Sequence, residues 1–227
     1  MGETEIAIIA LSAKVAVAAI GVGLVPAFAV AWILARWDFP GKGLLQALVT
    51  LPLVLPPVVT GYALLLLFGG RGPLGRFFET AFGISFAFTW KGAALAAGVM
   101  AFPLLVRPIR LSLEAVDRGL EEASQTLGAS RMMTFLTVTL PLALPGVIAG
   151  AVLGFAKALG EFGATITFVS NIPGQTQTLS LAIYSLMQSP SGDAAALRLI
   201  VISVILAVGA VLASEWVGGR LARGRGA

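Results

Sequence analysis

The chain of 227 residues contains no cysteine and no histidine. Without cysteine there is no disulfide framework, no thiolate nucleophile, no zinc site of the usual Cys/His kind and no Cys-ligated iron–sulfur cluster. Without histidine there is no imidazole proton relay. Charge is also scarce: 11% of residues are Asp, Glu, Lys or Arg, against about 25% in an average soluble domain. What fills the space is apolar, with 58% hydrophobic residues and a mean hydropathy of +0.96. A soluble fold of this size cannot hide so much apolar surface. The composition excludes a soluble enzyme, a nucleic-acid reader and a disordered adaptor, and implies an integral membrane protein. No phosphate-cradling G-x-x-x-x-G-K-[ST] loop is present, so ATP hydrolysis by this chain is not expected.

A membrane-spanning helix needs about 20 mostly apolar residues. Five spans are predicted: 15–35, 43–70, 92–106, 132–156 and 199–214, the last continuing past Glu215 to Val217. The stretch 162–192 is uncharged but rich in Gly, Pro, Ser, Thr, Asn and Gln. It reads as a re-entrant or outer-surface segment, with a sixth span as the alternative. Met1 to Glu5 carries two acids and no Lys or Arg, the reverse of a cleavable signal.

Basic residues set the expected orientation. The loop Arg36–Lys42, the loop Arg107–Arg131 and the tail residues Arg220, Arg223 and Arg225 hold nine Lys/Arg, and the opposite side holds six. The bias predicts a cytoplasmic C-terminus and an outer N-terminus. Within the spans, Pro52, Pro56 and Pro57 fall in six residues and must bend the second span. Gly146, Gly150 and Gly154 allow close helix approach, within one subunit or between two.

Eight of the 26 charges crowd into the 25 residues from Arg107 to Arg131. Leu113, Val116, Leu120, Ala123 and Leu127 are spaced 3, 4, 3 and 4 apart, one face of a helix. Gly128 supplies a positive-φ residue that ends the helical pattern, so the loop is expected to form one or two short helices at the cytoplasmic surface. An acidic amphipathic helix suits an anionic membrane poorly; a protein partner fits better.

Glu122-Ala123-Ser124, three residues, Gly128, nine residues and then Val138-Thr139-Leu140-Pro141 resemble the EAA signature of ABC importer permeases. Ser124 stands where that signature has Ala, and Val138 where it has Ile. The resemblance implies an all-α, polytopic helical bundle of about five transmembrane helices, one type I importer transmembrane domain over 1–227 with 107–131 as its cytoplasmic coupling loop. It implies a docking core of Glu121, Glu122, Ala123, Gly128, Ala129, Ser130, Leu140 and Pro141 for a separate ATPase. Leu159 to Phe168, continuing through Asn171 to Thr176, is similar to the molybdate-type branch, as are Phe39 to Lys42, Leu51 to Tyr62 and Ile84 to Trp90.

That branch implies a homodimer in the bacterial inner membrane, two ATP-binding subunits and an extracytoplasmic oxyanion-binding protein. ATP-Mg would sit on the partner, with no cofactor, metal or nucleic acid on this chain. Lys157 and Glu161 lie four apart near the end of the fourth span; they either pair with each other or leave Lys157 to offset anion charge. Gly160 and Gly163 flank Glu161 and Phe162, which suits a flexible gate near the outer surface, and Lys157, Glu161, Phe162, Gly163 and Thr165 are the candidate path or gate residues. Sulfate/thiosulfate or tungstate remain alternative cargoes. An ion-coupled secondary transporter is the rival of a different class, though the spans hold few ionisable groups to couple.

Overall fold

A computed structural model describes residues 2–190 and 192–223, with side chains through Leu212. The described residues form helices α1 (Glu3–Arg36), α2 (Lys42–Val54), α3 (Pro57–Phe68), α4 (Pro73–Phe82), α5 (Trp90–Glu114), α6 (Arg118–Thr126) and α7 (Arg131–Thr134). A π turn (Phe135–Thr139) follows, then α8 (Leu140–Leu159), α9 (Gly163–Val169), α10 (Leu179–Met187) and α11 (Asp193–Arg223). No strand occurs among them.

Four helical stretches are long and apolar enough to span: α1, α5, the continuous Arg131–Leu159 helix and α11. The second predicted span, 43–70, is α2 plus α3, bent by 113° at their junction. Three prolines explain the bend. Pro52 lies inside α2, Pro56 caps α3 and Pro57 opens it. None can donate to the backbone ladder, so the helix cannot run through. The 162–192 stretch holds only the short helices α9 and α10 and carries no span among the described residues.

Several predicted boundaries move, among them the start of the last span, where α11 begins at Asp193 and not at 199. α1 starts at Glu3, so its 34 residues extend about 51 Å at 1.5 Å each, well beyond a hydrocarbon core of about 30 Å. The loop does not begin at Arg107, because α5 continues to Glu114. Hydropathy ends a span at the first charge, whereas the backbone ladder continues into the headgroup layer. Glu215 and the tail residues Arg220 and Arg223 lie beyond the described side chains, and Arg225 beyond the described residues.

α5 is the centre of the bundle, with α1 on one side and α8 on another. The core that α5 shares with α1 is rich in small residues: Ala16, Ala19, Ala27 and Ala31 of α1 and Ala93, Ala97 and Ala101 of α5 are buried, and Gly98 of α5 lies against Ala19 of α1. Lipid tails are as apolar as leucine, so close van der Waals packing holds such helices together. The Gly146, Gly150 and Gly154 stripe faces inward. A Cβ on Gly146 would strike the Pro108 carbonyl and Ser112, and one on Gly150 would meet the Leu105 carbonyl at 2.9 Å. The stripe is therefore packing within one chain, between α8 and α5.

Candidate functional site

The residues with the EAA-like spacing build a compact helix–turn–helix at one end of the bundle. Asp117 caps α6, its carboxylate accepting from the Gly119 N–H at 2.8 Å. Gly128 has φ +92°, a left-handed conformation that glycine adopts without a Cβ penalty. Ser130 then caps α7, its hydroxyl accepting from the Met133 N–H at 3.2 Å. Ser124, the departure from the signature, shares a hydrogen bond of 3.2 Å with the buried Thr134. Its hydroxyl ties α6 to the following helix, which an alanine there could not do.

The predicted apolar stripe is divided. Leu113 and Val116 are buried at the end of α5, whereas Leu120 is 51% and Leu127 89% exposed on α6. The helix breaks at Ala115–Asp117, so the 3-4-3-4 spacing spans two elements. Met132, Met133 and Leu136 are exposed on the next turns. Glu122, Ala123 and Gly128 are exposed and Ala129 is half-buried, while Leu140 and Pro141 open α8.

Glu121 points the other way. One oxygen of its carboxylate accepts from the Arg36 guanidinium at 2.7 Å and from the Thr139 hydroxyl at 2.5 Å. Both charged side chains are mostly buried, 11% and 17% exposed. Arg36 ends α1, and Thr139 closes the π turn. Phe135 of that turn packs edge-on against Phe28 and Trp32 of α1. Pro141 cannot donate to Thr137, so the ladder is interrupted beside the turn, a common setting for a π turn. Sequence reasoning missed Arg36 and Thr139. Arg36 entered it only as a loop charge, and Thr139 lies at an open position of the signature. Asp38 and Lys42 pair at 2.7 Å in the loop after α1. Lys42 holds the Asp38 carboxyl below its ordinary range, through the hydrogen bond first and its charge second.

The predicted gate residues gather at the far end of α8. Lys157 donates to Glu161 at 2.5 Å, and the other Glu161 oxygen accepts from the Ala164 N–H at 3.1 Å. The Glu161 side chain is 2% exposed, so the pair neutralises a charge that would be costly in the membrane. Phe162 packs against Tyr184 of α10, ring centres 4.9 Å apart. Gly163 abuts Pro57, where a Cβ would meet the proline Cβ at 2.7 Å. Thr165 is buried in α9. Gly61 of α3 lies against α9 as well, leaving no room for a Cβ between it and the Ala164 carbonyl, 2.5 Å away. The bent α2–α3 pair thus bears directly on the Phe162–Gly163 segment. No cluster of three or more acidic side chains able to hold a metal ion occurs among the described residues.

Residues 27–223 match the family described as binding-protein-dependent transport system inner membrane component. The chain is 58% identical over 195 residues to the molybdenum transport system permease protein ModB of Escherichia coli K12, covering 86% of this chain and 85% of the relative. It is 55% identical to ModB of Haemophilus influenzae, over 96% of this chain and 95% of the relative. The sulfate transport system permease protein CysT of Salmonella typhimurium is 42% identical over 80% of this chain and 64% of its own length. Among solved structures, a bacterial alginate ABC transporter in complex with a pentasaccharide-bound periplasmic protein superposes with a TM-score of 0.74 at 17% identity, covering 97% of this chain and 80% of that one. At that identity the likeness is one of fold.

Proposed function

Because the chain belongs to the family of binding-protein-dependent transport system inner membrane components, we propose that it is the permease subunit of an ATP-driven molybdate importer. The observation that carries the substrate is the identity gradient: 58% to a molybdenum permease over 85% of its length, against 42% to a sulfate permease over 64%.

Two copies form the path as a homodimer, since five spans from one chain barely surround a solvated oxyanion. An ATPase subunit docks on each α6–α7 surface. Exposed Leu120, Leu127, Met132 and Met133 supply the apolar contact, and Glu122, Ala123, Gly128, Ala129 and Ser130 shape it. Leu140 and Pro141 set the start of α8 behind it. This end faces the cytoplasm, with the N-terminus outside, as the excess of Lys/Arg favours. ATP-Mg stays on the partner.

Glu121 serves as an internal anchor rather than a docking contact. Its bonds to Arg36 and Thr139 let displacement of α6 pull on α1 and on the π turn at the base of α8. α8 carries that movement to Lys157, Glu161, Phe162, Gly163 and Thr165, which form the gate. A binding protein on the outer side delivers the oxyanion there. Allostery of this kind is a coupling free energy between two sites through elements with two arrangements.

ATPase stimulation tests the proposal. In proteoliposomes holding the chain with its ATPase, molybdate-loaded binding protein should raise hydrolysis above the ligand-free level. Stimulation by sulfate alone would keep the importer and replace the cargo. Failure of any ATPase to bind the chain would remove the importer reading.

A further inference from the structure

An open apolar groove of about 840 Å³ lies between α1, α2 and α5, with Phe68 of α3, Phe78 of α4, Ile84 and Phe86 also in its wall. Its floor is made of small residues where α1 and α5 meet: Ala18, Ala19, Gly23, Ala94 and Gly98. Along α5 it extends from Trp90 to Phe102, about 18 Å at 1.5 Å per residue. One hydrocarbon leaflet is about 15 Å deep, half of the core. The groove therefore has the length of one acyl chain.

Its two ends differ. The end remote from α6 carries cations. Lys91 is the one charged residue among those that line the groove; it is exposed and has no hydrogen bond or ion pair among the described residues. Lys14, one turn before the groove begins on α1, lies over the Trp90 ring at 3.8 Å from its centre. The tryptophan fixes this level at a membrane–water boundary, where such rings and lysine ammonium groups collect. Two cations beside an apolar channel one leaflet deep complement an amphiphile with an anionic head and a hydrocarbon tail.

We propose that this groove is a binding site for one anionic phospholipid. The acyl chain lies over the small-residue floor, and the phosphate is held by Lys91 and Lys14 beside Trp90. A zwitterionic lipid fills the channel equally well but gains less from the two lysines. Each lysine near a membrane surface contributes about 1 kcal/mol toward anionic lipid, so losing one should lower the preference about five-fold.

The test uses the full chain with Trp90 as its sole tryptophan, reconstituted in vesicles containing brominated phosphatidylglycerol or brominated phosphatidylcholine. Bromine quenches only when its chain lies beside the ring. Phosphatidylglycerol should quench Trp90 at about 25-fold lower mole fraction than phosphatidylcholine, Lys91→Gln and Lys14→Gln should each lower that preference about five-fold, and Val22→Phe, which narrows the groove from an exposed position, should weaken quenching by both lipids. Equal quenching by both lipids, unchanged in the lysine variants, identifies ordinary boundary lipid and overturns the proposal. Trp90 shielded from both indicates that a second copy of the chain covers the groove, which also overturns it. Should the single-tryptophan chain fail to fold, lipid retained by the unaltered chain and by Lys14→Gln/Lys91→Gln is compared by mass spectrometry. Retention of phosphatidylglycerol by the first and its loss from the second supports the site, and equal retention refutes it.

Discussion

Arg36 and Glu121 are 85 positions apart in the chain and joined by a 2.7 Å hydrogen-bonded ion pair. The pair fastens the short helix expected to meet the ATPase to the end of the 34-residue α1. The same carboxylate oxygen takes the Thr139 hydroxyl, so three elements converge on one atom. Glu121→Gln keeps the shape and removes the charge. A hydrogen bond to a charged group contributes about 1.5–3 kcal/mol, and breaking this one leaves the Arg36 charge mostly buried without a counter-ion. A drop of several degrees in the melting temperature is expected, with less oxyanion moved per ATP hydrolysed. Thermal unfolding and the transport-to-hydrolysis ratio check this together; an unchanged ratio would return Glu121 to a purely structural role.

Gly128 permits a second prediction, because its requirement is conformational and not spatial. Its φ is +92°, and nothing lies within 4 Å of where a Cβ would stand. Alanine there costs about 1–2 kcal/mol from the left-handed backbone alone, whereas asparagine tolerates that region better. Gly128→Asn should therefore bind the ATPase more tightly than Gly128→Ala, and Gly128→Val should bind it least. Co-purification of the complex ranks them. An equal effect from all three would mean that added bulk at the interface, not backbone geometry, governs assembly.

Phe162 of the proposed gate segment rests on Tyr184. Phe162→Ala removes that contact and should let ATP hydrolysis proceed with less dependence on the binding protein. Basal hydrolysis measured with and without loaded binding protein reads this directly. If the ratio stays at the wild-type value, Phe162 is not part of the gate.

At Gly61 the constraint is spatial. A side chain would press on the Ala164 carbonyl at 2.5 Å and on Thr167 Cβ at 2.8 Å. Neither is the free end of a flexible chain, so Gly61→Val must push α3 off α9. Overpacking of this kind costs about 1–3 kcal/mol. Lower thermal stability and reduced transport are expected, with ATPase binding intact because the α6 surface lies at the other end. Loss of ATPase binding would show that the two ends do not behave separately.

Much of this architecture was legible from hydropathy and proline placement. The 43–70 run with Pro52, Pro56 and Pro57 announced a broken span, and the bend follows from three missing backbone donors. Gly128 announced its own turn. What escaped was contact across the fold. No local pattern links Arg36 to Glu121, because the pairing depends on where α1 ends and α6 turns. The apolar spacing from Leu113 to Leu127 allowed one short helix or two; Asp117 caps a second one, and what the spacing did not show is that the stripe divides between core and surface. Gly61 and Gly163 likewise disclose their packing only when α3 is folded back onto α9.

Transport itself tests the central claim most directly. Proteoliposomes containing the chain and its ATPase, loaded with ATP inside and supplied with binding protein outside, should accumulate molybdate against a gradient. Accumulation should stop when ATP is omitted and persist in a molar excess of sulfate. Uptake that needs no ATP but follows a proton or sodium gradient would contradict the account and place the chain among ion-coupled carriers.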